Sequence, residues 1–441
     1  MKIKFLLLML FPTLIWSQEP TSFSLQEAVD YAKLHAYAIQ NADDDIEIAS
    51  RKVWETTTMG LPQINAKVDY QNFLKQPISL IPAEFFGGQP GEFAEISFGT
   101  KQNINASATL TQLLFNGSYL VGLQSAIVYK EISESIKTKT IAGVKESVTN
   151  AYAGVLMTDE GIKILNKNKV ILEKNLSDTR LIYKNGFAEE QDVEQLQLTL
   201  SKINKELSNI KRLRIYNLNM LKYAMGITID TPINLSQTLE DLALVNSDLN
   251  LTNEVFDYQL HIDYKISENS IKANQLFVKL EKSKALPSLN AFLNYGLTAN
   301  NEEFKFFKSE QKWFDSSVFG VQLNVPIFSS FKRHSRIQQA KIGLTKSERA
   351  LDETTQKLKL KHQTALLSYQ NALESYQTAK ESVVLAERIE KKENIKFFEG
   401  VSTNFSLSIA QNQLYAQQQE YLQSIFNLIS KKVALETALD K

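Results

Sequence analysis

The sequence predicts a mainly α-helical chain with transmembrane β-strands, built as two homologous halves. Three observations carry that prediction. Short segments recur in the same order about 210 residues apart, long stretches run without proline, and four segments alternate apolar and polar residues with period two.

The duplication comes first. Leu61-Pro62, Ile64-Asn65-Ala66 and Asp69-Tyr70 return as Leu286-Pro287, Leu289-Asn290-Ala291 and Asn294-Tyr295. Leu110–Gly117 matches Leu323–Ser330, and Tyr183–Phe187 matches Phe397–Val401 around Gly186 and Gly400. Three matches in one order divide the chain into a first repeat at 18–227, an inter-repeat segment at 228–251 and a second repeat at 252–441.

Each repeat then reads as the same series of elements. Ser24 and Glu27 have capping-box spacing, in which hydroxyl and carboxylate satisfy the orphan amides of a helix start. That helix is expected to run to about Thr58, short of Pro62. Ile64, Ala66, Val68 and Tyr70 then alternate with Asn65, Lys67, Asp69 and Gln71, which describes a strand with one apolar and one wet face. A loop of about 27 residues, rich in Phe, Pro and Gly, leads to a second alternating segment at Ile104–Leu110.

From Ser118 to about Ile182 there is no proline, and ~65 helical residues span on the order of 95 Å. Gly186 stands where a left-handed C-cap ends such a helix, and a return helix is expected over Glu189–Met225. The second repeat predicts a helix over Thr252–Lys284, strands near Leu289–Leu297 and Phe319–Phe328, and a long helix over Ser335–Phe397. A turn at Gly400 then starts a return helix that reaches the C-terminus.

Composition narrows the class. Acidic and basic side chains number 49 each, and such a balance argues against a nucleic-acid partner, which calls for a basic face. With no cysteine there is no disulfide, thiolate zinc site or cysteine-borne lipid. Lys2 and Lys4 followed by the apolar run Phe5–Trp16 read as a secretory leader at 1–17, cleaved after Ser17. No later window holds about 18 consecutive apolar residues, so a membrane would have to be entered as strands.

Strands in a bilayer must close into a barrel, because an open edge leaves backbone groups unpaired in hydrocarbon. Four strands fall short of the roughly eight that closure needs, so the chain is expected to oligomerise, with two, three or four copies all compatible with closure. Asn65, Lys67, Asp69, Gln71, Asn290, Asn294, Gln322 and Asn324 are the candidate lumen-facing set. The loops at Leu74–Thr100 and Thr298–Asp315 each link the strands of one hairpin, and their aromatics read as packing or interfacial residues.

The Ser24-Leu25-Gln26-Glu27-Ala28 start, the two Leu-Pro-x-x-Asn-Ala strand starts and the two aromatic-x-x-Gly turns together resemble the TolC-type outer-membrane efflux protein family. The resemblance covers essentially the whole mature chain. It implies a homotrimer whose twelve-stranded outer-membrane barrel continues into a long α-helical barrel in the periplasm. It also implies docking to a periplasmic adaptor (membrane fusion) protein and an inner-membrane transporter, with export of drugs, small molecules or proteins.

On the same resemblance, the turns at Gly186 and Gly400 mark the inner end and the grip for the adaptor. Asp192, Gln191, Tyr183 and Phe397 take the positions of the family's periplasmic gate. The second hairpin departs from the family pattern, with Ser402, Ser406 and Ile409 where charged residues are expected. Asp192 also reads as a carboxylate favoured in the first turn of a helix by the macrodipole.

Catalysis finds no support in the sequence, and no cofactor is expected. His35, His261, His334 and His362 lack metal-ligand spacing, and neither a phosphate loop nor a nucleophile elbow appears. A periplasmic or surface coiled-coil structural protein is the alternative, although it leaves the alternating hairpins unexplained.

Overall fold

The computed structural model describes residues 22–246, 251–252 and 254–441. The expected leader at 1–17 lies outside the described residues, as does 247–250 of the inter-repeat segment. In chain order the elements are β1 (Ser22–Phe23), α1 (Leu25–His35), α2 (Tyr37–Thr58), β2 (Gln63–Asn72), β3 (Ile78–Pro82), β4 (Phe93–Ser97), β5 (Gln102–Asn116), α3 (Gly117–Lys184) and α4 (Glu190–Met225). They continue with β6 (Asn234–Leu235), α5 (Leu239–Asn246), α6 (Ile262–Ser283), β7 (Ser288–Asn301), β8 (Trp313–Asn324), α7 (Lys332–Phe398) and α8 (Asn404–Ala438). The chain is mostly helical, and α3 and α7, at 68 and 67 residues, each rise about 100 Å along their own axes.

Two compact units share these elements, one formed by residues up to Asp44, Ser135–Lys265 and Glu353–Lys441, the other by Asp45–Glu134 and Ile266–Asp352. The first is helical. Its core gathers Phe23, Ala32, Ile39, Val148, Tyr152, Leu221, Met225, Tyr369, Ile425 and Leu428. Two buried phenols carry hydrogen bonds across it. The Tyr152 hydroxyl donates to the Phe23 carbonyl at 2.9 Å, and that of Tyr369 to Asn246 at 2.9 Å. Burial pushes the Tyr152 phenol up to about 12, so it remains a donor at any physiological pH.

The capping box at Ser24 and Glu27 is present, but the expected continuous first helix is two helices. Ala36 turns extended (ψ 132°), its N–H still closing on Ala32. The His35 carbonyl accepts instead from the Gln40 side-chain amide at 3.1 Å, while the Ile39 N–H bonds Ala36. Gly226 explains why the break is here. It caps α4 at φ 78°, and a Cβ built on it would lie 2.1 Å from the His35 carbonyl oxygen. Backbone meets backbone at that point, and only glycine fits. The second repeat's first helix starts at Ile262, ten residues after the expected Thr252.

The second unit holds a four-stranded antiparallel sheet in the order β2-β5-β7-β8. Its strands follow Leu61-Pro62 and Leu286-Pro287 as the repeat requires. The loop between β2 and β5 is more ordered than expected, since β3 and β4 pair antiparallel across a 3-10 turn at Ala83–Phe86. The sequence also extended the last strand to Phe328, but β8 ends at Asn324. Pro326 has no N–H to donate, and the carbonyls of Pro326 and Ile327 accept from the Arg333 guanidinium at 2.9 and 3.0 Å rather than from a strand. A turn with the Lys332 N–H on the Ser329 carbonyl then places Ser330 (φ 45°) and Phe331 (φ 61°) in the left-handed region. Holding non-glycine residues there costs about 1–2 kcal/mol each.

Two left-handed glycines predict different outcomes for the same change. Gly226→Ala meets both the left-handed backbone and the His35 carbonyl and should cost roughly 2–5 kcal/mol. Gly186→Ala, with open space at its Cβ, should cost about 1–2 kcal/mol. Thermal unfolding followed by circular dichroism ranks the two, and equal losses would show that the α1–α2 break does not depend on Gly226.

Candidate functional site

Residues directly opposite each other in an antiparallel sheet share a face, so the register decides the surface chemistry. Asn65 faces Thr109, Lys67 faces Ser107 and Asp69 faces Asn105. Thr109 in turn faces Asn294, Asn105 faces Thr298, and Asn290 faces Gln322 with Asn324 two residues on. All eight candidate lumen residues, Asn65, Lys67, Asp69, Gln71, Asn290, Asn294, Gln322 and Asn324, therefore lie on one face. Side-chain hydrogen bonds run across it, from Asn294 to Thr109 at 2.7 Å and from Thr298 to Asn105 at 2.9 Å. The charges of Lys67 and Asp69 pair with each other at 2.9 Å. A ring interrupts the polar row where Phe292 covers Gly320, whose absent side chain leaves the room.

The opposite face carries Ile64, Val68, Tyr70, Leu293, Tyr295, Phe319, Val321 and Leu323, all of them exposed. Among the described strands β2 pairs only with β5 and β8 only with β7, so the sheet is two-sided and open at both edges.

The helical unit holds the second candidate region, where the two long hairpins turn. The turns share one geometry. Gly186 (φ 79°) donates to Tyr183 and Phe187 to Ile182, while Gly400 (φ 74°) donates to Phe397 and Val401 to Lys396, the bonding of a Schellman cap. Three residues beyond each glycine the next N-cap, Glu189 or Thr403, adopts the same φ −88°, ψ 154°. The chemistry differs. The Asp192 carboxylate accepts from the Glu189 N–H at 3.2 Å, whereas the Thr403 hydroxyl accepts from the Ser406 N–H at 3.2 Å.

Among the described residues, Asp192 is the one gate candidate hydrogen-bonded to the other hairpin. Its carbonyl accepts from the Asn404 side chain at 3.1 Å. Tyr183 and Gln191 are exposed, and Phe397 is half-buried with its ring edge-on to Phe398. Glu393, which the sequence did not single out, binds Lys396 at 2.6 Å and the Ser402 hydroxyl at 2.9 Å. Chiefly the lysine holds its carboxyl below the usual range. The i, i+3 spacing to Lys396 was the available signal.

Sequence reasoning also missed a buried polar seam. On α8, Asn404, Ser408, Gln411 and Gln418 follow helical spacing, and all are buried, Gln411 to 1 % exposure. The Gln418 amide oxygen accepts from Asn168 on α3 at 2.7 Å, and Asn175 on α3 donates to Asn394 on α7 at 3.2 Å. Yet among the described residues Thr179 Oγ1, Asn404 Oδ1 and Ser408 Oγ find no partner. Each such group forfeits about 1–3 kcal/mol. Burial also pushes the Glu390 carboxyl on α7 up and, with that charge adding to it, raises the Tyr415 phenol.

His261 is buried, its Nδ1 accepts from the Asp263 N–H at 3.1 Å, and burial pushes its pKa down. Among the described residues no group of three or more His, Cys, Asp or Glu is placed to hold a metal ion. Nor is any described helix long and apolar enough to cross a membrane, which says nothing of strands.

Residues 266–440, inside the second repeat, match the family described as outer membrane efflux protein. The whole fold is similar to that of CusC, whose crystal structures concern folding and transmembrane channel formation, with a TM-score of 0.74 and 13% identity over 95% of this chain and 93% of that one. It is also similar to the outer membrane protein VceC of Vibrio cholerae (TM-score 0.69, 14% identity, 94% and 96% covered). A third likeness is to the CmeC outer membrane channel of Campylobacter jejuni (TM-score 0.72, 14% identity, 97% and 90% covered). No curated protein sequence matches the chain. The chain therefore has the same fold as these outer-membrane proteins.

Glu390 supplies a pH test of the seam. Its raised pKa means that folding favours the neutral carboxyl, so the charged form destabilises the fold above that pKa. Glu390→Gln should raise the melting temperature at pH 7. The gain should shrink as pH falls through the folded pKa and vanish below the ordinary value of 4.5. A gain independent of pH would remove the charge from the explanation.

Proposed function

We propose that this chain is one protomer of a trimeric export duct of the outer membrane, moving small molecules or proteins from the periplasm to the outside. The observation that carries the proposal is the open sheet with one polar and one exposed apolar face. Three copies joined edge to edge, β8 of one beside β2 of the next, would give twelve strands, with lipid against the apolar face and a water-filled lumen inside. The polar face would then line the pore through Asn65, Lys67, Asp69, Asn290, Asn294, Gln322 and Asn324.

In this reading the leader at 1–17 directs export, the repeats 18–227 and 252–441 supply equivalent halves, and 228–251 joins them at the helical unit's equator. The long helices project into the periplasm as a helical barrel. The turns at Gly186 and Gly400, with Phe187 and Val401 exposed beside them, form the docking end for an adaptor and an inner-membrane transporter. Asp192, Gln191, Tyr183 and Phe397 form the gate there, and the partly unsatisfied seam along α8 suits a region that repacks on opening.

Mature protein in a planar bilayer, with its oligomer mass measured in parallel, tests this. A trimer with small cation-favouring currents is expected. Asp192→Asn, which keeps an oxygen for the Glu189 amide, should lose the preference while melting within about 1 kcal/mol of wild type. A monomer that never conducts would favour the coiled-coil structural reading instead.

A further inference from the structure

The second repeat differs from the first where strand gives way to helix. After β5 the chain enters α3 at once. The Asn116 side chain accepts from the N–H groups of Ser118 and Tyr119 at 2.8 and 3.1 Å, and the first basic residue is Lys130. After β8 there is a seven-residue link, 325–331, that carries four large apolar side chains into solvent. Val325 and Ile327 continue the odd-numbered exposed row of Phe319, Val321 and Leu323 past the last paired residue. Ile327, Phe328 and Phe331 are 88%, 78% and 75% exposed, and the two phenylalanine rings meet edge to face at 6.4 Å.

This exposure is held in place by specific bonds. Arg333 ties down the Pro326 and Ile327 carbonyls and donates to the Ser329 hydroxyl at 3.0 Å, while the left-handed pair Ser330 and Phe331 turns the chain back into α7. Directly beside the rings, Lys332, His334 and Arg336 are exposed, and among the described residues none of the three forms an ion pair. The first turn of α7 contains no acid to offset Lys332, which sits at the helix end where the macrodipole disfavours a cation.

Resting on the reading that the sheet is lipid-embedded, we propose that residues 325–336 are an interfacial anchor for anionic phospholipid. Ile327, Phe328 and Phe331 would lie among the acyl chains, and Lys332 and Arg336 would bind headgroup phosphates at the periplasmic surface. Two observations select this occupant. The apolar row is continuous with the sheet face that lipid would cover, and the basic pair follows immediately, where the chain leaves the hydrocarbon. A protein partner would have to cover the link and leave the adjoining sheet face to lipid. One lipid surface meets both without a break.

The test folds wild type and the Lys332→Gln/Arg336→Gln double variant into vesicles of phosphatidylcholine, alone or mixed with phosphatidylglycerol. Flotation measures insertion, and mass spectrometry of detergent-extracted protein measures the lipid that stays bound. Both proteins should float with both vesicles. Wild type should retain phosphatidylglycerol over phosphatidylcholine by on the order of ten-fold, and the double variant should lose that preference. Equal retention by the two proteins, or no preference in wild type, would overturn the anchor while leaving the membrane reading intact. Wild type that floats with neither vesicle would overturn both. Should the double variant fail to insert, Arg336→Gln alone gives the same comparison.

Discussion

The backbone edges of β2 and β8 set the terms for the rest of the molecule. Each presents amides and carbonyls that no described strand pairs, on a sheet one face of which carries many exposed apolar side chains. In water the apolar row is costly. In hydrocarbon each unpaired backbone group costs several kcal/mol. Lipid against the row and a further strand at each edge satisfy both demands together, and a single chain supplies neither. In the proposed trimer the neighbouring copies supply those strands.

The helical unit follows the opposite logic. Its centre is sealed by aromatic and aliphatic residues around Tyr152 and Tyr369, whose hydroxyls are satisfied. Farther along α8 the packing turns polar, and several amide and hydroxyl groups go without partners. A dry, satisfied core holds one arrangement. A seam of half-satisfied groups separates alternative packings by less free energy, and it lies at the end where the hairpins turn.

Duplication preserved backbone geometry more faithfully than chemistry. Both turns use glycine in the left-handed region and restart their helices with the same cap dihedrals, although one cap uses a carboxylate and the other a hydroxyl. The strand-to-helix junctions diverged further. The Asn116 side chain caps an abrupt turn at Gly117, where a Cβ would meet Leu286 at 2.6 Å, whereas Arg333 organises seven residues at the matching place. Repeat symmetry is therefore a sound guide to topology here and a poor one to the surface at each junction.

By itself, the sequence determined the two long helices, the recurring segments, the glycine turns and the two-faced strands. These follow from local rules: period two in Ile64–Gln71, absent proline in α3 and positive φ at Gly186 and Gly400. Only the tertiary structure decided which strands are neighbours, and so which polar residues share a face, because register depends on pairing between segments nearly 200 residues apart, such as Asn294 on Thr109. It also decided the break at Ala36, made by a glycine far along the chain, and the end of β8, where Arg333 takes the carbonyls a strand would have used. The buried seam was hidden for the same reason. Asn404, Ser408, Gln411 and Gln418 are buried only by other helices, and no local pattern marks them.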